Sequence, residues 1–175
     1  IHLYLGTEGG SDAQLVALNK GTTVDLNKRA MDLARANDIM TEASFMIGGP
    51  LETWKTVEAT IAEAIRINPD IAVFPVLTPM PFTPIYQQFK ERVRVTDWSK
   101  YNLATPIVEP FEMTLEEVMV ALGKCYMTFY ARKMPEVLQL PDGFKRRYMM
   151  SAFQEMMKGY REHFSFLGMK MPKMH

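Results

Sequence analysis

Three stretches of the chain combine residue types that could hold a ligand: Gly6-Thr7-Glu8-Gly9-Gly10, Ser44 to Glu52, and Leu77 to Thr83. Each follows a run of β-prone residues. In the first, the Glu8 carboxylate is an acceptor suited to the paired hydroxyls of a diol, and the glycines let a ligand approach the main chain. In the third, Pro79 and Pro81 stiffen the loop. Tight strand-to-helix turns have the same composition, and the residues by themselves leave both readings open.

Other chemistries fail on order or on count. Asn19-Lys20-Gly21-Thr22-Thr23 has Gly and Lys in the wrong order for a phosphate loop and joins two helices instead of leaving a strand. Gly6, Gly9 and Gly10 lack the spacing of a dinucleotide fingerprint. His2, His163 and His175 are too scattered for a metal site, and no metal ligand set is expected from this chain. The one cysteine, Cys125, excludes an internal disulfide framework and any cysteine-only metal or cluster site built by this chain alone. In phase with Leu122 and Phe129, it reads as a buried, inert thiol.

The elements that must position the three stretches follow from periodicity. Strands are predicted near residues 2 to 6, 41 to 47 and 71 to 77, the last by its continuous apolar character. Between them, Asp12 to Asn19 suits a short helix. Thr22-Thr23 can cap a longer one whose buried face is Leu26, Ala30, Leu33 and Ala34, ended by Asn37-Asp38. Thr53 to Ile67 is helical through Val57, Ile61, Ala64 and Ile65, and Asn68-Pro69-Asp70 breaks it. Strand and helix alternate as in a parallel sheet with helical crossovers, in which ligands bind beyond the carboxyl ends of the strands. The first strand begins at residue 1 without a lead-in, which reads as a fragment, and its edge should be sticky unless covered.

After about residue 92 the character changes. Trp98 to Pro110 is loop-like, and Thr114-Leu115-Glu116-Glu117 is a capping box opening a helix to about Arg132. Leu115, Val118, Met119, Leu122, Cys125, Tyr126, Phe129 and Tyr130 keep a 3-4 spacing along it. A last helix covers Phe144 to Tyr160, with Tyr148, Ala152, Met156 and Tyr160 in phase. The many methionines of this half, Met113, Met119, Met127, Met134, Met149, Met150, Met156 and Met157 among them, either fill a helical core or line a broad apolar pocket. The expected organisation is residues 1–92 as an α/β piece and 93–175 as a helical region.

With 20 basic and 20 acidic residues the net charge is zero, which speaks against a nucleic-acid partner. Apolar residues at 47% allow a sizeable core. No run approaches the ~20 apolar residues of a transmembrane helix, so a soluble, cytoplasmic chain is expected.

Four segments carry a family resemblance: Gly6-Thr7-Glu8, Leu15 to Thr22, Ser44 to Thr53 and Leu77 to Pro81, in order, look like the second half of a radical S-adenosylmethionine barrel. Ser99 to Leu103, Cys125 to Tyr130, Lys133-Met134-Pro135 and Met171-Pro172-Lys173 resemble the cobalamin-dependent branch. Within it they resemble the oxygen-independent oxidative cyclases that close the isocyclic ring of magnesium-protoporphyrin IX monomethyl ester in chlorophyll and bacteriochlorophyll biosynthesis, and their near relatives. The resemblance implies an α/β fold: the second half of a partial (β/α)6 barrel with parallel strands, followed by an α-helical C-terminal region. It also implies a missing N-terminal portion bearing the cobalamin domain and the C-x-x-x-C-x-x-C motif of a 4Fe-4S cluster, with a small-molecule tetrapyrrole as substrate. The cluster reduces S-adenosylmethionine to a 5′-deoxyadenosyl radical, and the protein directs that radical at a C–H bond.

Position by position, the resemblance implies that Glu8 hydrogen-bonds the ribose of S-adenosylmethionine and that Lys20 pairs with its methionyl carboxylate. Ser44 falls at a ribose-contacting position. Ile47, Gly49 and Glu52 match part of an adenine motif, with Phe45 in place of its first glycine, and Leu77 and Pro79 match the segment beside the adenine. Phe82 replaces a glycine common in the wider family. No catalytic residue is expected here, and without the cluster cysteines the chain alone should be inactive. The parent protein is expected to be a radical S-adenosylmethionine oxidoreductase. The alternatives are another enzyme of the class, such as a C-methyltransferase, and a non-catalytic binding module that lost its cluster.

Overall fold

The computed structural model describes residues 1–166, and the side chains of residues 1–159. The readings on the Tyr160 and His163 side chains, on Met171-Pro172-Lys173 and on His175 lie outside the described residues. Two compact units divide the chain, Ile1–Phe129 and the part from Tyr130 onward.

The first unit is built on a parallel sheet of β1 (His2–Glu8), β2 (Met40–Phe45) and β3 (Ile71–Val73), in that spatial order. Helices α1 (Asp12–Ala17) and α2 (Val24–Ala36) lie between β1 and β2, and α3 (Trp54–Ile67) lies between β2 and β3. Three hydroxyls open them: Ser11 caps α1, Thr23 caps α2, and Thr53 with Thr56 forms a capping box on α3. Asp38 (φ 53°) and Asn68 (φ 51°) take the left-handed conformation that closes α2 and α3, as their residue types allow.

Three sequence expectations are corrected. The third strand ends at Val73, not Leu77, because Pro75 has no N–H to give the ladder and the Phe74 N–H is taken by the Tyr126 hydroxyl at 3.1 Å. Pairing resumes as an isolated bridge between Ile47 and Val76, closed by Ile47 N–H to the Pro75 carbonyl at 2.9 Å and Leu77 N–H to the Ile47 carbonyl at 2.8 Å. The second strand correspondingly stops at Phe45, and Ile47 belongs to that bridge. The buried face of α2 is Met31 and Ala34, while Leu26 and Leu33 are 54% and 66% exposed. Met31 is one residue out of step with the expected stripe, and α2 carries its leucines outward.

Helix α5 (Leu115–Gln139) opens with the expected box: Glu117 N–H donates to the Thr114 hydroxyl at 3.2 Å and Thr114 N–H to the Glu117 carboxylate at 2.9 Å. It runs past Arg132 with Pro135 inside it, since Lys133 and Val137, one turn apart, are both buried and hold the chain in helical register. In the first unit its Tyr126 and Phe129 pack on Phe74, whose ring stacks on Phe45 at 5.7 Å. A second cluster joins Leu77, Phe89, Ile107 and Val108. Phe89 ends a further short helix, α4 (Pro84–Phe89). An antiparallel bridge from Val93 to Val108 ties down the loop between them. The second unit contains the end of α5 and α6 (Phe144–Phe166), with Met149 buried and Tyr148 half exposed, again one position from the expected stripe. Met113, Met119 and Met149 are buried. No helix among the described residues is long and apolar enough to cross a membrane.

Candidate functional site

At the carboxyl end of β1 the ladder slips: Gly6 pairs with Ser44 and Glu8 with Phe45, leaving Thr7 as the extra residue of a bulge. Thr7 is fully buried, and its hydroxyl donates to the Ser44 carbonyl at 2.5 Å. Glu8 is forced to φ 62°, a strained conformation for a side chain of this size. Its carboxylate then lies over Gly6, where a Cβ would stand 2.4 Å from Glu8 Oε1 and 2.8 Å from Lys20 Nζ. Gly6 thus makes room for an ion pair, Lys20 Nζ to Glu8 Oε1 at 3.1 Å. Both ends retain solvent contact, so the pair contributes ~0.5 kcal/mol and a ligand can take either partner at little cost.

Glu8 also lines a small, open cleft with Gln14, Ala17, Leu18, Met46, Gly49, Pro50, Leu51 and Glu52. Its far wall is the loop after β2. Gly48 there has φ 84°, open to glycine, and its N–H donates to the Glu52 carboxylate at 2.7 Å. The Thr56 hydroxyl donates to the other oxygen at 2.6 Å. Only 2% of Glu52 is exposed, and burial raises its pKa above the ordinary carboxylate value against the opposing pull of these bonds. Glu52 therefore both faces the pocket and clamps the turn that forms it.

Of the residues singled out from sequence, Glu8, Gly49 and Glu52 meet in this pocket, and Lys20 reaches it through Glu8. Ser44, Ile47, Leu77 and Pro79 do not line it. Ser44 is buried with its carbonyl on Thr7, Ile47 and Leu77 form the strand-end bridge, and Pro79 is buried beyond it. Phe82 is 99% exposed at φ 69°. The glycines after Glu8 serve packing: a Cβ on Gly10 would meet the Ala59 and Thr60 backbone at 2.3 Å, and one on Gly9 would meet Gln14 at 2.8 Å. Gln14, Leu18 and Met46 were not anticipated. Gln14 had a signal, since Ser11 and Gln14 stand at capping-box spacing. Its Oε1 accepts from the Gly10 N–H and the Ser11 hydroxyl, both at 3.2 Å, and its Nε2 donates to Thr60 at 3.3 Å.

Among the described residues no three His, Cys, Asp or Glu side chains are grouped to hold a metal ion. Cys125 is buried and its thiol pKa is pushed up, first by burial and then by the nearby Glu52 charge. One such thiol does not fit a 4Fe-4S cluster, which needs several accessible thiolates. In donor chemistry the residues at the cleft and its rim match S-adenosylmethionine: the Glu8 carboxylate for a diol, the Lys20 ammonium beside it for a carboxylate, and Leu18 and Met46 for an apolar ring.

The described residues form an α/β unit with a three-stranded parallel sheet, and the cleft lies beyond the carboxyl ends of its strands, where ligands of such sheets bind. No protein-family model matches the chain. By sequence it is similar to anaerobic magnesium-protoporphyrin IX monomethyl ester cyclases: 39% identical over 90% of its length to that of Cereibacter sphaeroides, and 38% over 96% to that of Rubrivivax gelatinosus. An uncharacterised methyltransferase of Pyrococcus horikoshii is 33% identical over 78% of the chain. These matches span 26%, 31% and 30% of the respective relatives, so the chain corresponds to about a third of their length or less.

Proposed function

We propose that this chain is the S-adenosylmethionine-binding second half of a radical S-adenosylmethionine barrel, residues 1–92, followed by a helical region, residues 93–175. The parent protein would be the oxygen-independent cyclase that forms the isocyclic ring of magnesium-protoporphyrin IX monomethyl ester. What carries the reading is the 39% identity to such a cyclase over 90% of the chain. In support, Glu8, Gly49 and Glu52 of the motif segments share one pocket.

When bound beside a reduced 4Fe-4S cluster, S-adenosylmethionine supplies one-electron chemistry able to remove hydrogen from a substrate C–H bond. In this reading Glu8 accepts the ribose hydroxyls, Lys20 neutralises the methionyl carboxylate, and Glu52 holds the Gly48-Gly49 turn at the adenine side. Ser44, Ile47, Leu77 and Pro79 shape the strand ends behind them. Cluster and cobalamin ligands would come from a preceding part of the same protein, which is also the chain's closest partner. The parent is read as soluble and cytoplasmic.

The test is anaerobic incubation of the cluster-loaded parent with S-adenosylmethionine and magnesium-protoporphyrin IX monomethyl ester. Formation of the isocyclic ring is expected. Transfer of a methyl group instead would favour the second reading, a C-methyltransferase, which the similarity to the Pyrococcus methyltransferase supports. A parent that takes up no cluster on anaerobic reconstitution and shows no turnover would leave a binding module.

A further inference from the structure

Glu8 ends β1 and Lys20 lies in the loop between α1 and α2, twelve positions on, and one side chain bonds next to both. Asn27, in the second turn of α2, donates from Nδ2 to the Thr7 carbonyl at 3.2 Å, at the residue that the bulge leaves unpaired. Its Oδ1 accepts from the Thr22 hydroxyl at 3.2 Å, two residues beyond Lys20. The rest of each segment is fixed to its own surroundings. The Thr7 carbonyl also takes the Gly9 N–H at 2.8 Å, the Glu8 carbonyl takes the Met46 N–H at 3.0 Å, and Lys20 N–H donates to the Leu15 carbonyl at 2.8 Å. Only a carboxamide offers a donor to a carbonyl and an acceptor to a hydroxyl at this short reach; Asp lacks the donor and Leu lacks both.

We propose that Asn27 is a positioning residue for cofactor binding. It ties the β1 bulge that aims Glu8 to the loop that carries Lys20, and so keeps the two charged groups side by side at the rim of the cleft, 3.1 Å apart, from where each can turn to the ligand. The proposal rests on the reading of Glu8 and Lys20 as contacts to S-adenosylmethionine. It adds a residue that touches no part of the ligand and acts through both.

A double-mutant cycle tests it in the intact, cluster-loaded protein, with S-adenosylmethionine affinity measured by calorimetry and thermal stability recorded for every variant. Asn27→Ala places a stronger helix former in α2, so folding is spared. Asn27→Leu, close in shape and uncharged, removes both hydrogen bonds and serves as the second variant. Each should weaken S-adenosylmethionine binding about tenfold in the native background and less than twofold in Glu8→Ala/Lys20→Ala. Equal weakening in both backgrounds would mean that Asn27 acts on the fold at large and would overturn the proposal, as would undiminished affinity in both Asn27 variants. Undiminished affinity in Glu8→Ala/Lys20→Ala sinks the cofactor reading itself, and the proposal with it, so the two failures are told apart.

Discussion

Glu8 and Lys20 satisfy each other across a 3.1 Å gap that is still in contact with water. Such a pair contributes little to stability, whereas each member would make a charge-assisted contact to a bound zwitterion worth ~1.5 to 3 kcal/mol. Glu8→Ala or Lys20→Ala should therefore weaken S-adenosylmethionine binding at least roughly tenfold with the melting temperature nearly unchanged, as titration calorimetry and a thermal scan would register. Glu52 should behave in the opposite way. Its raised pKa means that the folded state holds the proton more tightly than the unfolded chain. Its contribution to stability is complete below the ordinary carboxylate value, falls as the pH climbs through the interval up to the raised value, and is constant above. Melting temperatures measured across that interval should fall for the native chain relative to Glu52→Gln; parallel curves would show that Glu52 is not the group responsible. Glu8 was legible because it stands among glycines at the end of a β-prone run, whereas Glu52 was marked only by the family resemblance of Ser44 to Thr53. Leu18 and Met46 were not, because an apolar residue that lines a pocket has the same pattern as one that fills a core.

The elements were read most accurately where a local rule decides them. Thr53, Thr114 and Asn68 mark helix ends by hydrogen bonds that span three or four residues, and their sequence neighbours suffice to predict them. Pro75 and the α2 stripe were misjudged because tertiary packing chose among locally equivalent options. A run of apolar residues does not reveal where a proline will face the ladder, and Leu26-Ala30-Leu33 and Asn27-Met31-Ala34 are neighbouring helical stripes, one turned inward by the sheet. The most exacting contact between elements is Gly10 against α3, where any Cβ meets backbone at 2.3 Å. Gly10→Ala should lower the stability to chemical denaturation by about 3 kcal/mol, the upper end of overpacking costs. Gly21→Ala, with open space around it, should leave stability unchanged or raise it by up to ~1 kcal/mol.

At the scale of the molecule, the sheet has three strands among the described residues, and β1 stands at its edge with Tyr4 55% exposed. A bare edge pairs with another copy unless charge blocks it. The 175-residue chain by itself should self-associate in sedimentation velocity, and Tyr4→Lys should shift it toward monomer. Anaerobic reconstitution of the same chain with iron and sulfide should give no iron-sulfur absorbance, since its one thiol is buried. A brown, cluster-loaded monomer would contradict the reading that the cluster ligands lie elsewhere.

The bulge at Thr7 makes the site depend on parity. Side chains along a strand alternate between faces, so one residue more or less before Glu8 sends the carboxylate to the opposite side. Loss of the Thr7 codon would keep every pocket residue in the sequence and still remove Glu8 from Lys20, whereas most substitutions in β1 would leave the geometry intact. Lineages descended from this chain should accordingly tolerate drift in the letters of His2–Glu8 far better than a change in their number. When a homologous stretch is transplanted into another parallel sheet, the count of residues from Gly6 to the carboxylate has to be matched before their identities are.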